Sequence, residues 1–261
     1  MITPRFRKKN NGVPILSKKE IDAIAEQFVS DFQQSALNNP EPFDVETFIE
    51  MYLGMTPDYQ YLSHNGVYLG MTVFNDTDKV PVYDPRTERA EYISARANTV
   101  IIDRRLIEDL KQEHRLRFTQ GHEGGHGIFH PQVFQRDPNQ LSFLEPVTAP
   151  IIQCRTDAGR NPRRVEPKYW TDKEWMEWQA NAMSSALLMP RPAVRRLFDT
   201  NGRTGTRTSQ IVSTINSLVY ECDVSGEAAL YRLADLGYVP KEEVSRYMPG
   251  SPLLDFPDFF D

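Results

Sequence analysis

His122-Glu123-Gly124-Gly125-His126 is the stretch whose reading decides the fold. Two histidines at i and i+4 stand one turn apart on the same helix face, so their ring nitrogens can converge on one metal ion. The glutamate between them points elsewhere, where it can hold a metal-activated water and take its proton. This is the His-Glu-x-x-His arrangement of zinc metalloproteases. The chain has 5 histidines among 261 residues, and His122, His126 and His130 crowd one short window.

The window is an unusual helix. Gly121, Gly124, Gly125 and Gly127 lie in it, and each interior glycine costs about 0.8–1.0 kcal/mol relative to alanine. Such a segment needs tertiary packing or a bound ion to stay helical, and local rules are most often broken at functional sites.

A zinc site with two histidines needs at least one more protein ligand and an open position. A third histidine in the metzincin register is excluded, because that position is Gln132. His130 lies roughly 12 Å along the axis from His122, too far to share one ion on a straight helix, and reads as a polar cap. A second helix offers Trp175-Met176-Glu177-Trp178-Gln179-Ala180-Asn181. Its apolar stripes, Trp175, Trp178, Ala182, Ala186 and Met176, Ala180, Met183, Leu187, enclose a polar line of Glu177, Asn181 and Ser184. A glutamate so enclosed is costly unless paired or on a metal. Asn181, one turn on, is placed to orient a ligand histidine. Glu174 is the nearest rival but faces away from Asn181.

Farther out, Ser17 can cap a helix carrying Ile21, Ile24, Ala25, Phe28 and Phe32 at helical spacing. Another helix is expected over Val45 to Leu53. Five β-rich runs follow, Tyr59–Leu62, Val67–Phe74, Val80–Tyr83, Tyr92–Ser94 and Thr99–Ile102, separated by turn chemistry. They predict one small, mostly antiparallel sheet. Arg104–Arg115 reads as helix, then Phe118–Phe129 as the motif helix. Residues 131–170 read as an irregular excursion with one strand at Pro150–Arg155. A helix from Thr171 or Asp172 to Pro190 and further helices at Ser209–Cys222 and Gly226–Leu236 complete an α+β chain without βαβ alternation. The segments are 1–130, 131–170 and 171–261, taken as one catalytic domain.

Composition sets the outer limits. The chain is 39% hydrophobic and 25% charged with a net charge of -6, ordinary for a globular protein and poorly suited to direct nucleic-acid binding. No apolar run is long enough to span a membrane and no signal-peptide core follows the basic N-terminus. Two cysteines, Cys154 and Cys222, make no disulfide framework. Together these predict a cytoplasmic protein with no membrane partner. Between Arg155 and Arg207 there are 11 Lys+Arg against 6 Asp+Glu, and Arg155, Arg160, Arg163 and Arg164 are candidates for a basic rim that receives a partner segment. Cys154, between the two ligand segments, reads as an ordinary thiol and not a fourth zinc ligand.

Arg117-Phe118-Thr119-Gln120-Gly121-His122-Glu123-Gly124-Gly125-His126, then Glu177-Trp178-Gln179-Ala180-Asn181 and Leu187-Leu188-Met189-Pro190, resemble the ImmA/IrrE family of cytosolic zinc peptidases. The resemblance extends upstream through Tyr68-Leu69-Gly70-Met71 and Thr99-Val100-Ile101-Ile102-Asp103 and covers roughly residues 17 to 238. It implies a reduced, thermolysin-like zincin with a helical C-terminal part and one zinc per chain. It implies His122, His126 and Glu177 as ligands and Glu123 as catalytic base. It also implies cleavage of a helix-turn-helix repressor or an antitoxin-like regulator, in mobile-element, stress or toxin–antitoxin settings. Candidates for steadying the oxyanion are His64, Arg117 and several tyrosines. Two departures stand out: the family usually has a small apolar residue at Gly121 and a leucine at Gly124, and losing that leucine predicts weaker packing beneath the active helix.

A different class of reading is a non-catalytic regulatory module with a structural metal or none. Its support is Ile211–Leu236, where an amphipathic helix, a turn at Asp223-Val224-Ser225-Gly226 and a second helix look like a helix-turn-helix. The second helix carries only Arg232 as a cation, whereas DNA readers need basic and amide side chains there. The pair reads as core packing.

Overall fold

Alternation along Tyr68–Val73 organises the sheet on which the motif helix lies. In the computed structural model, which describes residues 2–134, 151–155 (backbone alone), 169–203 and 205–248, the chain is α+β. Eight strands and six longer helices are used below. The strands are β1 (Arg7–Lys8), β2 (Pro14–Ile15), β3 (Thr56–Gln60), β4 (Tyr68–Val73), β5 (Thr77–Asp84), β6 (Arg89–Ala95), β7 (Thr99–Asp103) and β8 (Ile151–Arg155). The helices are α1 (Lys18–Phe32), α2 (Glu113–Phe129), α3 (Asp172–Leu188), α4 (Arg191–Asn201), α5 (Arg207–Cys222) and α6 (Gly226–Asp235).

The chain divides into two units, one of Arg5–Leu16 and Glu46–Asn181, the other of Met1–Pro4, Ser17–Val45 and Ala182–Asp261. The division falls inside α3, away from the 131–170 excursion that the sequence marked out.

In the first unit a sheet of order β3-β7-β4-β8 forms. β4 runs antiparallel to β7 and to β8, while β3 runs parallel to β7. Among the described residues the expected single sheet is two, this one and a separate β5–β6 pair. Pro57 lies within β3, at the edge of its sheet, and Pro81 within β5; a proline is tolerated in a strand where no ladder needs its N–H. Side chains on β4 alternate between faces. Met71 and Val73 join Leu62, Val80, Val82 and Ile101 in one core cluster, while Gly70 and Thr72 face the side chain of Glu123 on α2. With both faces covered, β7 is buried along its whole length, which is why Thr99-Val100-Ile101-Ile102 reads as a continuous apolar run.

Two helical expectations change form. Val45–Leu53 is a short α turn at Val45–Thr47 followed by a π turn at Phe48–Tyr52, closed by Leu53 N–H donating to the Phe48 carbonyl at 2.9 Å. Arg104–Arg115 breaks into a turn at Arg105–Glu108, a 3-10 turn at Leu110–Gln112 and the start of α2 at Glu113. The strand read at Pro150–Arg155 is present as β8.

The second unit is helical. Ser17 caps α1 through a full capping box with Glu20, and Ile21, Ile24, Ala25 and Phe28 are buried as their spacing required. α5 buries Ile211, Ile215, Leu218 and Cys222. Arg232 on α6 is only 4% exposed. Its guanidinium pairs with Asp22 on α1 at 2.7 Å and donates to the Met189 carbonyl at 2.9 Å. The one cation of the supposed recognition helix is thus spent inside the protein.

Replacing Arg232 with methionine leaves Asp22 buried without its partner, an expected loss of about 3–5 kcal/mol. Urea unfolding should show it as a lower midpoint at unchanged slope, with Asp22→Leu added to Arg232→Met recovering most of it. A single variant as stable as the parent would mean that this pair does not hold these helices together.

Candidate metal centre

α2 holds despite its glycines because neighbours close on it where side chains are missing. A Cβ on Gly124 would stand 3.3 Å from Ile49 and 3.6 Å from Leu53, and one on Gly127 would stand 2.7 Å from the Met55 methyl. The π turn and the residues after it therefore occupy the volume that a leucine at position 124 would take. Thr119 through His126 are all buried.

On that helix the two ligand candidates converge. His122 Nε2 and His126 Nε2 are 3.0 Å apart, with their rings 4.6 Å apart and nearly perpendicular. Glu177 on α3 faces both, at 3.4 Å from His122 Nε2 and 3.8 Å from His126 Nε2. One ligand atom from each of the three lies within 4.8 Å of the others, a group able to hold a metal ion. Asn181, one turn beyond Glu177, puts its Oδ1 3.0 Å from His122 Nδ1. In that contact His122 Nδ1–H donates to the amide oxygen, which leaves the Nε2 lone pair toward Glu177. Glu174 is used elsewhere: its carboxylate accepts from the backbone and hydroxyl of Thr171 at 2.7 and 2.8 Å, capping α3.

Among the described residues, several atoms here lack a hydrogen-bond partner. Both carboxylate oxygens of Glu177 and Oε1 of Glu123 are buried without a hydrogen bond. Unpartnered buried carboxylate oxygens are costly, and a divalent cation among two imidazoles and a carboxylate would satisfy Glu177. Two histidines, one glutamate and an open position suit zinc. The donor set fits the ion.

Glu123 has a different setting. It is fully buried and its Oε2 accepts from the Thr72 hydroxyl at 2.6 Å. Gly70 clears its path, since a Cβ there would stand 2.9 Å from Glu123 Cγ and from Thr119. Burial pushes the Glu123 carboxyl up to about 7, against the opposing pull of His122 and the Thr72 hydrogen bond. Burial, with the neighbouring His122 and His130, holds His126 well below the usual histidine range, so it offers a neutral ring as a ligand must.

His130 is the C-cap residue of α2 as expected, its backbone N–H donating to the His126 carbonyl at 2.9 Å. Its ring, fully buried, has further partners that the sequence did not suggest. Nδ1 lies 2.9 Å from His126 Nδ1 and Nε2 lies 3.0 Å from Gln179 Oε1; burial lowers its pKa to about 4. Gln179, Thr72 and Gly70 were not read from the sequence. The β4 alternation could have pointed to Thr72 and Gly70, since they share the face opposite Met71 and Val73. His64 packs edge-on to Tyr83 and is not part of the cluster. Arg160, Arg163 and Arg164 lie outside the described residues, as do the side chains of Cys154 and Arg155, whose backbones pair with Gly70 and Tyr68. No protein-family model matches this sequence, and no curated protein does.

Glu177→Ala removes both orphaned oxygens and one donor. Zinc bound per chain, read by atomic emission after gel filtration, should fall well below one. Melting temperature should become insensitive to added Zn2+, since a ligand stabilises a fold only by binding it. Undiminished zinc in the variant would remove Glu177 from the site.

Proposed function

We propose that this chain is a zinc-dependent, site-specific endopeptidase of the ImmA/IrrE type, with a reduced zincin fold, that cuts a helix-turn-helix repressor or antitoxin-like regulator. The observation that carries the reading is the buried meeting of His122, His126 and Glu177, with a second buried carboxylate, Glu123, near enough to feel the charge of His122 and Glu177 but anchored separately by Thr72. The third ligand arriving from a later helix, and the motif helix lying along a mixed sheet, support the zincin reading.

One zinc ion per chain, held by His122, His126 and Glu177, would supply Lewis acidity toward a peptide carbonyl and a water of lowered pKa. Glu123 does the proton work. Its Oε2 is fixed by Thr72, leaving Oε1 free to take the proton of the attacking water and return it to the departing amine. A carboxyl pushed toward neutrality by burial has the affinity for such a transfer. Asn181 keeps His122 in the tautomer that presents Nε2.

Among the described residues no helix is long and apolar enough to cross a membrane. The proposed site of action is the cytoplasm. There the regulator would be met in trans, through protein contacts and not through nucleic acid, since Arg232 is withdrawn into the core.

Glu123→Gln should keep its zinc and its melting temperature while cleavage of a co-encoded regulator falls by at least roughly a hundredfold, the general acid–base share. Both readouts belong on one preparation. Full cleavage by the variant would point to another base; a metal-replete wild type that cuts no regulator would favour the non-catalytic module.

Selectivity gives a second check. Casein should be cut poorly compared with the regulator. Charge reversal at Arg155, Arg160, Arg163 and Arg164 should slow regulator cleavage, most strongly at low salt, without loss of zinc. Brisk digestion of unrelated unfolded proteins would defeat the idea of a restricted substrate.

A further inference from the structure

The cluster around His126 holds a chain of hydrogen bonds that has only one consistent direction. It starts at the Pro14 carbonyl in β2, which can only accept. Gln179 approaches it with its amide nitrogen at 2.9 Å, so the amide oxygen must face the other way. That oxygen lies 3.0 Å from His130 Nε2, and an oxygen there requires His130 to carry its proton on Nε2. A neutral ring protonated at Nε2 is bare at Nδ1. His130 Nδ1 is 2.9 Å from His126 Nδ1, a contact that needs one proton, and only His126 can provide it. His126 is then left with a bare Nε2, aimed toward Glu177 and His122 Nε2.

We propose that His130 and Gln179 are positioning residues that fix the tautomer and ring plane of His126, so that Nε2 is presented to a metal with its lone pair free. This rests on the metal-site reading above and adds to it a relay that ends on the main chain. The Pro14 carbonyl sets Gln179, Gln179 sets His130, and His130 sets His126. Glu177, Gln179 and Asn181 all lie on α3. Seating that one helix therefore delivers a ligand and orients both ligand histidines, His122 directly through Asn181 and His126 through His130. Neither imidazole can turn over without breaking a buried hydrogen bond.

The test uses two replacements of His130 with side chains of closely similar size. Asparagine can place an amide oxygen about where His130 Nδ1 stands and so can still accept from His126; leucine fills the same space and accepts nothing. Zn2+ affinity of the full chain, measured by competition with a chromophoric chelator, should stay within a few-fold of wild type in His130→Asn. It should weaken roughly 10- to 100-fold in His130→Leu, the usual effect of losing an outer partner of a ligand histidine. A purely structural role predicts the reverse order, because a buried leucine is tolerated better than a buried asparagine. Equal affinities in all three proteins, or equal losses in both variants, would overturn the proposal.

Nitrogen-15 NMR of the histidine rings in the metal-free wild type gives an independent readout that needs no variant to fold. His126 should be protonated at Nδ1 and bare at Nε2, with His130 the opposite. A proton on His126 Nε2 would overturn the relay. A wild type that takes up no Zn2+ would overturn the metal-site reading instead, while the ring tautomers would still decide the relay.

Discussion

Three electron-rich groups are brought together out of water in this protein, and the local structure is organised around that cost. With Nδ1 of His122 given to Asn181, its bare Nε2 stands 3.0 Å from the Nε2 of His126 and 3.4 Å from Glu177. Among the described residues, neither oxygen of Glu177 has a hydrogen bond. Nothing in elementary electrostatics favours such a meeting without a cation between the partners. The surroundings must therefore hold it in advance. The glycine-weakened helix propensity of α2 is offset by close packing of Ile49, Leu53 and Met55 against positions that lack side chains, and β4 closes the other approach through Gly70 and Thr72.

Two glutamates in this small volume differ in role because they differ in neighbours. Glu177 faces two imidazoles with both oxygens free, the environment of a ligand. Glu123 is anchored at one oxygen by Thr72, and its burial raises its proton affinity, the environment of a base. A cation at the imidazole pair would pull the Glu123 carboxyl back down by direct attraction. With such a cation its proton affinity would be a balance between burial, set by Gly70 and the sheet, and the charge held by His122 and His126.

The sequence made the centre of the site legible because helical periodicity is a short-range rule. His122 and His126 follow from i,i+4 spacing, and Glu177 and Asn181 from the same rule applied to a second helix. The capping box at Ser17 and the buried stripes of α1 and α5 were readable for the same reason. Strand pairing was less so. The β5–β6 pair left the main sheet, and β3 joined it in parallel, through contacts distant in sequence that no local pattern records. His130 and Gln179 show the same limit at the scale of one side chain. Successive helix residues turn by about 100°, so Gln179 lies roughly 200° round from Glu177 and falls off the face that the pattern marks. Its part depends on where the end of α2 and the Pro14 carbonyl are, which is tertiary information.

The departure at Gly124 shows how far a motif can be trusted on its own. Position 124 is two residues past His122, roughly 200° round the helix, and so on the side turned away from the ligand atoms. What that side needs is volume, and volume need not come from the helix itself. Here Ile49, in a π turn, and Leu53, just beyond it, approach to where a Cβ would sit. The turn closes with an i→i+5 bond, Leu53 N–H to the Phe48 carbonyl, and side chains from within it and just beyond it both stand against one missing side chain. The space is shared between two elements of the chain, so changing either alone disturbs it. Restoring a leucine at position 124 without trimming Ile49 would overfill the contact, and the strain would reach the helix that carries His122 and His126.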